Sequence, residues 1–227
     1  MINIAIDGPS GAGKSTVAKA LAKSMDILYL DTGAMYRAVA LKALRLGIDP
    51  CQREKVLPIL NDTDVEVKYG QGVQHIFVDG EDVSQAIREH RVSKAASDIS
   101  KIQEVRDHLV DMQRAIAKNN DVVLDGRDIT SYVLKDTPYK FYLSASVDVR
   151  AKRRFDELTA KGQAVEYDKI KSDIIDRDDN DMKRTYCPLM RTADSIFIDS
   201  SDMTVDEVVK VFLKHIEEIG KSVGKGV

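Results

Sequence analysis

The chain has 227 residues, 43% of them hydrophobic, which is enough apolar material for one sizeable core. Its formal net charge of −3 argues against a protein that grips nucleic acid non-specifically, because that binding needs a basic excess. Two cysteines are too few for a disulfide framework, and no segment approaches a membrane span in length. We therefore expect one domain over residues 1–227, a cytoplasmic monomer without nucleic-acid or membrane partners.

The N-terminal quarter of the chain predicts a β-α-β-α arrangement. Residues 2–6 form a short apolar run that ends before Asp7-Gly8, which is typical of a buried strand followed by a tight turn. The next apolar residues recur at helical spacing and predict a helix that packs on a sheet: Val17, Ala18, Leu21 and Ala22. A second strand is predicted over residues 27–30, followed by a helix capped by Asp31 or Thr32 that continues to about Leu46.

Residues 63–83 have a different pattern and predict a small antiparallel hairpin. Val65, Val67 and Tyr69 alternate with polar residues, and the alternation resumes from His75 to Val78 after a break at Gly70-Gln71-Gly72. Because this segment interrupts the alternation of strands and helices, we interpret it as an insertion.

The rest of the chain returns to alternating helices and strands. Helices are predicted at 91–118, 147–161, 167–184 and from Val205 to Ile216, strands at 121–125, 139–143 and 195–198, and a frayed tail over 220–226. Alternation of this kind predicts an α/β fold, with a mostly parallel sheet covered by helices on both faces. Ligands then bind at the carboxyl ends of the strands.

A phosphate-binding motif follows the first predicted strand. Gly8-Pro9-Ser10-Gly11-Ala12-Gly13-Lys14-Ser15 matches G-x-x-x-x-G-K-[ST] at every defined position, and Thr16 follows. The loop N–H groups and the new helix N-terminus would hold the phosphates of ATP, Lys14 would reach the β- and γ-phosphates, and Ser15 would ligate Mg²⁺. The alternative is a glycine-rich turn with a solvated lysine.

A P-loop alone does not distinguish kinases from GTPases or motor ATPases. The sequence contains no N-K-x-D, the usual guanine-binding element, which disfavours a GTPase. Asp125 ends a predicted strand and can bind Mg²⁺ directly or through water. Alternatively, it caps the following turn.

Three further groups of residues could bind the phosphoryl acceptor. Residues 30–37 (L-D-T-G-A-M-Y-R) and 125–128 (D-G-R-D) both leave strand ends and open onto the same edge of the sheet. Arg177, Asp181 and Arg184 share one helix face and could grip an anion, although a surface helix with ion pairs has the same pattern. The same ambiguity applies to a basic run: Arg150, Lys152, Arg153 and Arg154.

Taken together, these motifs resemble the bacterial cytidylate kinases of the nucleoside monophosphate kinase superfamily. The resemblance spans essentially the whole chain and rests on I-A-I-D-G-P-S-G-A-G-K-S-T, L-D-T-G-A-M-Y-R, D-G-R-D, R-D-D-N-D-M-K-R and Pro188-Leu189. It implies a P-loop kinase fold with a monophosphate-binding segment at about 32–118, including the insertion at 63–83, and a lid at about 150–167. It also implies Mg²⁺-dependent transfer from ATP to CMP or dCMP in pyrimidine nucleotide metabolism.

The resemblance also implies roles for individual residues. Thr32, Arg37, Arg127 and Arg184 would hold the acceptor phosphate, Arg177 and Asp181 the ribose, and Ser97, Arg106 and Asp128 the cytosine. The catalytic cations would be Lys14, Arg127, Arg184 and the lid arginines Arg153 and Arg154, with Arg150 as a further candidate. Thr32 departs from the serine of this family; it keeps the hydroxyl but adds a methyl group that could crowd a neighbour.

Several alternatives stay open at this point. The acceptor could be another small molecule, such as shikimate or a different monophosphate, or the protein could be an ATP-dependent switch without an acceptor. Asp128 could merely cap the turn after Arg127 or orient that arginine. For Arg184→Ala we expect damaged catalysis with a nearly unchanged thermal midpoint, because a surface ion pair contributes little stability, whereas a mere salt bridge would leave the kinetics nearly normal.

Overall fold

The computed structural model describes residues 1–70 and 72–223, and divides the chain into two units. Unit 1 comprises Leu28–Asn120 together with Met1, and unit 2 comprises Ile2–Ile27 and the chain from Asp121 onward. The predicted monophosphate-binding segment, 32–118, falls within unit 1. The assignment of residues 1–227 to a single domain stays a prediction.

The elements follow the predicted order closely. The strands are β1 (Asn3–Asp7), β2 (Leu28–Asp31), β3 (Val65–Gly70), β4 (Val73–Val78), β5 (Glu81–Asp82), β6 (Val122–Gly126), β7 (Tyr139–Ser144) and β8 (Ile196–Asp199). The helices are α1 (Lys14–Met25), α2 (Thr32–Arg45), α3 (Arg53–Asn61), α4 (His90–Ile99), α5 (Gln103–Asn119), α6 (Val147–Ala160), α7 (Tyr167–Met182) and α8 (Val205–Val223). A 3₁₀ turn (Ala86–Arg88) and a π-helical turn (Ile129–Val133) complete the set.

In unit 2, β1 lies between β6 and β7 in a parallel sheet, and β8 pairs in parallel with β7. Ile6 stands opposite Asp125 on β6 and Phe141 on β7, which fixes the register. Ile4, Ala5 and Ile6 are all fully buried, and successive strand side chains point to opposite faces. Both faces of the central strand are therefore covered, and the predicted α/β fold of P-loop kinase type is confirmed.

Two amphipathic helices contribute to the core of unit 2. The buried side chains of α1 are largely the predicted stripe that includes Val17 and Leu21. On α8, Phe212 is fully buried and its ring centroid lies 4.5 Å from that of Phe141 on β7. Burial of such a side chain contributes about 1.5–3 kcal/mol, so these stripes fix the helices on the sheet.

Helices α6 and α7 form a hairpin with its own apolar cluster. Ala151 and Leu158 of α6 pack with Ile170 and Ile174 of α7. The predicted lid, 150–167, therefore consists of most of α6, the following turn and the first residue of α7.

Unit 1 carries the predicted insertion. Strands β3, β4 and β5 form an antiparallel sheet with Val65 opposite Val78, so the hairpin is confirmed and gains a short third strand. The residue at the predicted break, Gln71, lies outside the described residues. The N-cap of α2 is Asp31, the first of the two predicted candidates, and its carboxylate accepts a hydrogen bond of 2.9 Å from the backbone N–H of Ala34.

Four features of the helices differ from prediction. Helix α3 was not predicted, because it is short and contains Pro58. The helix expected at 91–118 is two helices broken at residues 100–102, where Ile102 is extended yet keeps its apolar side chain buried. Helix α7 ends at Met182 rather than at 184. Helix α8 continues to Val223, so the predicted fraying is wrong for residues 220–223. Residues 224–226 lie outside the described residues.

In the part of the chain that the structure describes, none of the helices combines the length and the apolar composition that crossing a membrane requires.

Candidate active site

The P-loop leaves β1 in a conformation that requires glycine at its first position. Gly8 has φ +151°, and a Cβ added there would lie 1.9 Å from the backbone oxygen of Leu143 on β7. No side chain fits this space, so the loop passes directly against the sheet. Helix α1 begins at Lys14, and its positive N-terminal end therefore faces the interior of the loop.

Lys14 folds back into the loop. Its ammonium donates hydrogen bonds to the backbone oxygens of Gly8, at 2.7 Å, and Pro9, at 2.8 Å. Burial and the positive charge of Arg127 lower the pKa of Lys14 to about 7, although the Asp125 carboxylate acts in the opposite direction. The structure thus surrounds a buried ammonium with loop carbonyls at the start of α1.

Ser15 and Asp125 lie together at the carboxyl end of the sheet. The Ser15 hydroxyl donates to Oδ2 of Asp125 at 2.9 Å, although the residues are 110 positions apart. Mg²⁺ prefers oxygen ligands and usually keeps several waters, so one hydroxyl and one carboxylate fit its needs. Among the described residues no cluster of three or more His, Cys, Asp or Glu side chains could hold a metal, and such a site does not require one.

A buried ion-pair network follows the D-G-R-D turn. Asp181 Oδ2 accepts a hydrogen bond of 2.7 Å from Nε of Arg127, and Asp181 also pairs with Arg184. The side chains of Asp181 and Arg184 are only 2% and 7% exposed, so the alternative of a surface helix laced with ion pairs is wrong for these two residues. Burial alone would raise the pKa of Asp181, but the guanidinium groups of Arg127, Arg184 and Arg177 hold it below its ordinary value.

A second buried pair holds the P-loop backbone. Arg150 Nη1 pairs with Asp178 and also donates to the backbone oxygen of Ser10 at 2.9 Å. Asp178 Oδ1 accepts from the backbone N–H of the same Ser10 at 3.1 Å. The solvated-face alternative is therefore wrong for Arg150, and the α6–α7 hairpin is attached to the loop through the backbone N–H and carbonyl of Ser10.

The neighbouring arginines of α6 have different environments. Arg153 donates to the backbone oxygen of Ser200 at 2.6 Å, and its Nη1 lies 3.8 Å from the position that a Cβ on Gly13 would take. Arg154 pairs with Glu157 on a partly exposed helix surface, as the solvated-face alternative expects. Of these two arginines, Arg153 is thus the one next to the start of α1.

Asp128 lies at the start of the π-helical turn and is buried. Its backbone oxygen accepts hydrogen bonds from the N–H groups of Tyr132, at 2.9 Å, and Val133, at 3.1 Å. A buried carboxylate that the sequence analysis did not single out supports this turn: Asp7 accepts from the N–H groups of Ile129, at 2.9 Å, and Thr130, at 2.7 Å.

The remaining predicted residues lie in unit 1. Arg37 pairs with Asp31 at 2.8 Å. Arg106 is 1% exposed, donates to the backbone oxygen of Ser100 at 3.2 Å, and stands 5.4 Å from the centre of the Tyr36 ring. Thr32 is buried as the first residue of α2, and Ser97 lies on α4.

Sequence reasoning missed two residues that these contacts reveal: Asp7 and Asp178. Asp178 sits inside the R-D-D-N-D-M-K-R motif, where the helical spacing from Arg177 favoured Asp181 instead. For Asp7, the available signal was an acidic residue at the end of an otherwise apolar strand, directly before the P-loop.

The parallel sheet, the glycine-lined loop and the buried cations define a P-loop kinase. Two solved structures share the fold at low identity. An uncharacterized protein from Eubacterium ventriosum has a TM-score of 0.55 and 15% identity, covering 96% of this chain and 99% of that chain. A gluconokinase from Sinorhizobium meliloti has a TM-score of 0.51 and 11% identity, covering 98% and 95%.

Comparison of sequences identifies the family. The family model for cytidylate kinase matches residues 4–218. A cytidylate kinase from Caldicellulosiruptor bescii is 48% identical over 97% of this chain and 98% of its own length, and one from Pediococcus pentosaceus is 44% identical over 96% of each. The chain belongs to the cytidylate kinase family, which confirms the resemblance and makes it a nucleoside monophosphate kinase.

Proposed function

We propose that this protein transfers the γ-phosphoryl group of ATP directly, in line, to CMP and dCMP, forming CDP and dCDP in pyrimidine nucleotide metabolism. The observation that supports this most is the buried network in which Arg127 and Arg184 share Asp181. Arg127 and Asp181 are both close enough to Lys14 to shift its pKa. Phosphoryl transfer needs this concentration of fixed positive charge, because charge builds up on the migrating group.

The chemistry needs little from the protein besides position and charge. A phosphate-monoester oxygen is already anionic near neutral pH, so the acceptor requires no strong general base. The P-loop, residues 8–16, holds the ATP phosphates, and Lys14 moves from its own loop carbonyls to the β- and γ-phosphates. Arg127 and Arg184 neutralise charge on the acceptor and on the transferred group.

Ser15 and Asp125 would hold Mg²⁺, which would supply positive charge to neutralise the phosphates. The direct hydrogen bond between these two residues supports the assignment, since both supply oxygen ligands. The carboxylate reaches its metal directly or through water.

The acceptor would be recognised by its phosphate, sugar and base separately. Thr32, Arg37, Arg127 and Arg184 bind the phosphate, Arg177 and Asp181 the ribose, and Ser97, Arg106 and Asp128 the cytosine. Asp128 would face the N4 amine of cytosine, which is a donor, whereas uracil presents an acceptor there. Repulsion between that acceptor and the carboxylate would disfavour UMP.

The lid, residues 150–167, would close over ATP and exclude water, since water would otherwise accept the phosphoryl group. Of the two lid cations, Arg153 has the better support, because its guanidinium lies beside the start of α1. Arg154 would have to leave Glu157 to reach a phosphate.

An acceptor panel in an ADP-release assay tests the function. With ATP and Mg²⁺, CMP and dCMP should stimulate ADP release strongly, UMP and AMP weakly, and shikimate not at all. A preference for another acceptor would replace the proposed substrate. Hydrolysis without stimulation by any acceptor would favour the ATP-dependent switch.

We also propose that the protein acts as a cytoplasmic monomer that binds no nucleic acid. The net charge of −3 supports the last point, and nucleotide substrates are abundant in the cytoplasm. Light scattering after size exclusion tests the monomeric state: a mass near 25.3 kDa is expected, and twice that mass would contradict a monomer.

A further inference from the structure

Asp31, at the end of β2, binds two arginines in unit 1. Its Oδ2 accepts hydrogen bonds from Nη2 of Arg37, at 2.8 Å, and from Nη1 of Arg88, at 3.2 Å. The carboxylate side chain is 7% exposed, and its other oxygen caps α2 at Ala34. One negative charge thus faces two positive charges, which leaves one excess positive charge at this end of the strand.

Arg37 and Asp31 approach Gly33 closely. A Cβ added to Gly33 would lie 3.3 Å from both Nη1 of Arg37 and Oδ1 of Asp31, which is a tight contact. Glycine therefore leaves room for the arginine to fold back over the first turn of α2. Nε of Arg37 is buried and has no hydrogen-bond partner among the described residues, a donor that native proteins rarely leave unused.

Arg88 lies just after the insertion, in the segment that leads to α4. This residue ends the 3₁₀ turn that follows β5, and its backbone N–H donates to the backbone oxygen of Gln85 at 3.0 Å. Gln74 of β4 reaches the same place, because its Oε1 accepts from the backbone N–H of Asp31 at 2.7 Å. The antiparallel sheet therefore contacts the end of β2 through Gln74, and the 3₁₀ turn that follows the sheet contacts it through a cation, Arg88.

The two arginines differ in exposure. The Arg88 side chain is 52% exposed, against 16% for Arg37, so donors of Arg88 that face away from Asp31 can be reached from solvent. Burial would raise the pKa of Asp31, but the two guanidinium groups hold it below its ordinary value, and the carboxylate stays ionised at neutral pH. The fork of a guanidinium held in this way matches two phosphate oxygens.

We propose that Arg88 is a further substrate-binding residue, which the 3₁₀ turn after the insertion brings to Asp31 to bind the acceptor phosphate together with Arg37. Asp31 is a positioning residue that holds both guanidinium groups. This inference rests on the proposed function in one respect, since it takes the acceptor to be a nucleoside monophosphate. The opposing interpretation is that the Arg88 contact only fastens the 3₁₀ turn to β2.

The test compares Arg88→Gln with Arg45→Gln. Arg45 belongs to the same unit and forms two hydrogen bonds of 2.7 and 2.8 Å with Glu81, so its variant loses an arginine–carboxylate pair away from Asp31. For Arg88→Gln, the KM for CMP should rise at least about tenfold, the change expected for one charge-assisted contact, while the KM for ATP stays within about twofold. Arg45→Gln should leave both unchanged.

Cytidine separates phosphate binding from a general disturbance of the site. As a competitive inhibitor against CMP it offers the base and sugar but no phosphate. Its inhibition constant should therefore be the same in wild type and Arg88→Gln. If the binding of CMP and of cytidine weakens in parallel, or if the KM for CMP stays within about twofold, the proposal is overturned and the contact only fastens the 3₁₀ turn.

Two further measurements keep the outcome decisive. If Arg88→Gln does not fold, Arg88→Lys retains the charge but loses the fork, and its KM for CMP should still rise severalfold; an unchanged KM would overturn the proposal. Failure of the proposed function looks different, because wild type itself would then lack CMP-stimulated ADP release. If wild type is active and Arg37→Gln weakens CMP but Arg88→Gln does not, only the inference about Arg88 is wrong.

Discussion

The carboxylate of Asp7 accepts two hydrogen bonds from Thr130, one from its backbone N–H and one from its hydroxyl, both at 2.7 Å. Asp7 is fully buried at the end of β1, directly before the P-loop, and Thr130 lies two residues after Asp128. One side chain therefore connects the start of the phosphate-binding loop to the turn that carries Arg127 and Asp128. Burial raises the pKa of Asp7 to about 6, the Asp128 charge adds to the increase, and the Thr130 and Ile129 hydrogen bonds oppose it.

This pKa predicts an unusual pH dependence of stability. Between the ordinary pKa of 3.8 and about 6, the folded protein holds the Asp7 proton more tightly than the unfolded chain does. The stability that Asp7 contributes is therefore complete below pH 3.8 and is lost as the pH rises through about 6. Asparagine does not titrate, so the free energy of unfolding of wild type relative to Asp7→Asn should fall by about 2.5 kcal/mol from about pH 4 to pH 7.5.

Urea unfolding of both proteins at several pH values measures that difference. Other carboxylates titrate in both proteins and cancel. A difference that does not change with pH would contradict the raised pKa.

The second prediction concerns Lys14. Lys14→Met removes the ammonium that should meet the β- and γ-phosphates, and kcat should fall by on the order of a hundredfold or more. The matched control is Lys23→Met, an exposed lysine in the last turn of the same helix, which should retain wild-type turnover. Steady-state kinetics with saturating CMP decide the matter, and a Lys14→Met enzyme within about threefold of wild type would refute the P-loop role.

The third prediction corrects an expectation from the sequence. Arg184→Ala should impair catalysis, but it should also lower stability, because the Asp181 partner is 2% exposed and would lose one of its buried cations. Removing one partner of a buried pair costs about 3–5 kcal/mol, although Arg127 still faces Asp181 and reduces that cost here.

Arg184→Lys separates the two effects. Lysine keeps the charge and should restore most of the thermal midpoint. Because lysine lacks the planar fork of arginine, kcat/KM for CMP should stay low. If the lysine variant recovers activity in proportion to stability, Arg184 acts only through the fold.

The fourth prediction concerns the choice of base. Asp128→Asn can turn an amide N–H toward O4 of uracil and loses the carboxylate that faces the amine of cytosine. The ratio of kcat/KM for CMP over UMP should therefore fall at least about tenfold, the effect of one buried hydrogen-bond mismatch.

Asp179→Asn is the control, since Asp179 pairs with Lys183 on the surface of α7 and should leave the ratio unchanged. If Asp128 only caps its turn or orients Arg127, CMP and UMP activities would decline in parallel. An unchanged ratio in a folded Asp128→Asn enzyme would remove Asp128 from base recognition.

Local patterns in the sequence were sufficient for most of the fold. The strands and the stripes of α1 and α8 followed from the spacing of apolar residues, which reflects the geometry of one element at a time. Where the backbone geometry changes but the spacing of apolar residues does not, that spacing does not predict the change. The break at residues 100–102 is an example: Ile99 and Ile102 are both buried, so the apolar pattern continues through the interruption.

The sequence by itself determined the phosphate-binding loop, the parallel α/β class and the family, because each depends on residues that are neighbours in the chain. Tertiary structure alone decided which charged residues are buried and which partners they have. Asp178 meets Ser10 across 168 positions, and Asp7 meets Thr130 across 123. Such pairs form only when the order of strands brings distant segments together, and the burial of a charge depends on everything packed around it. Asp181 and Arg184 are an example: they have the sequence spacing of a surface ion pair, yet their side chains are buried.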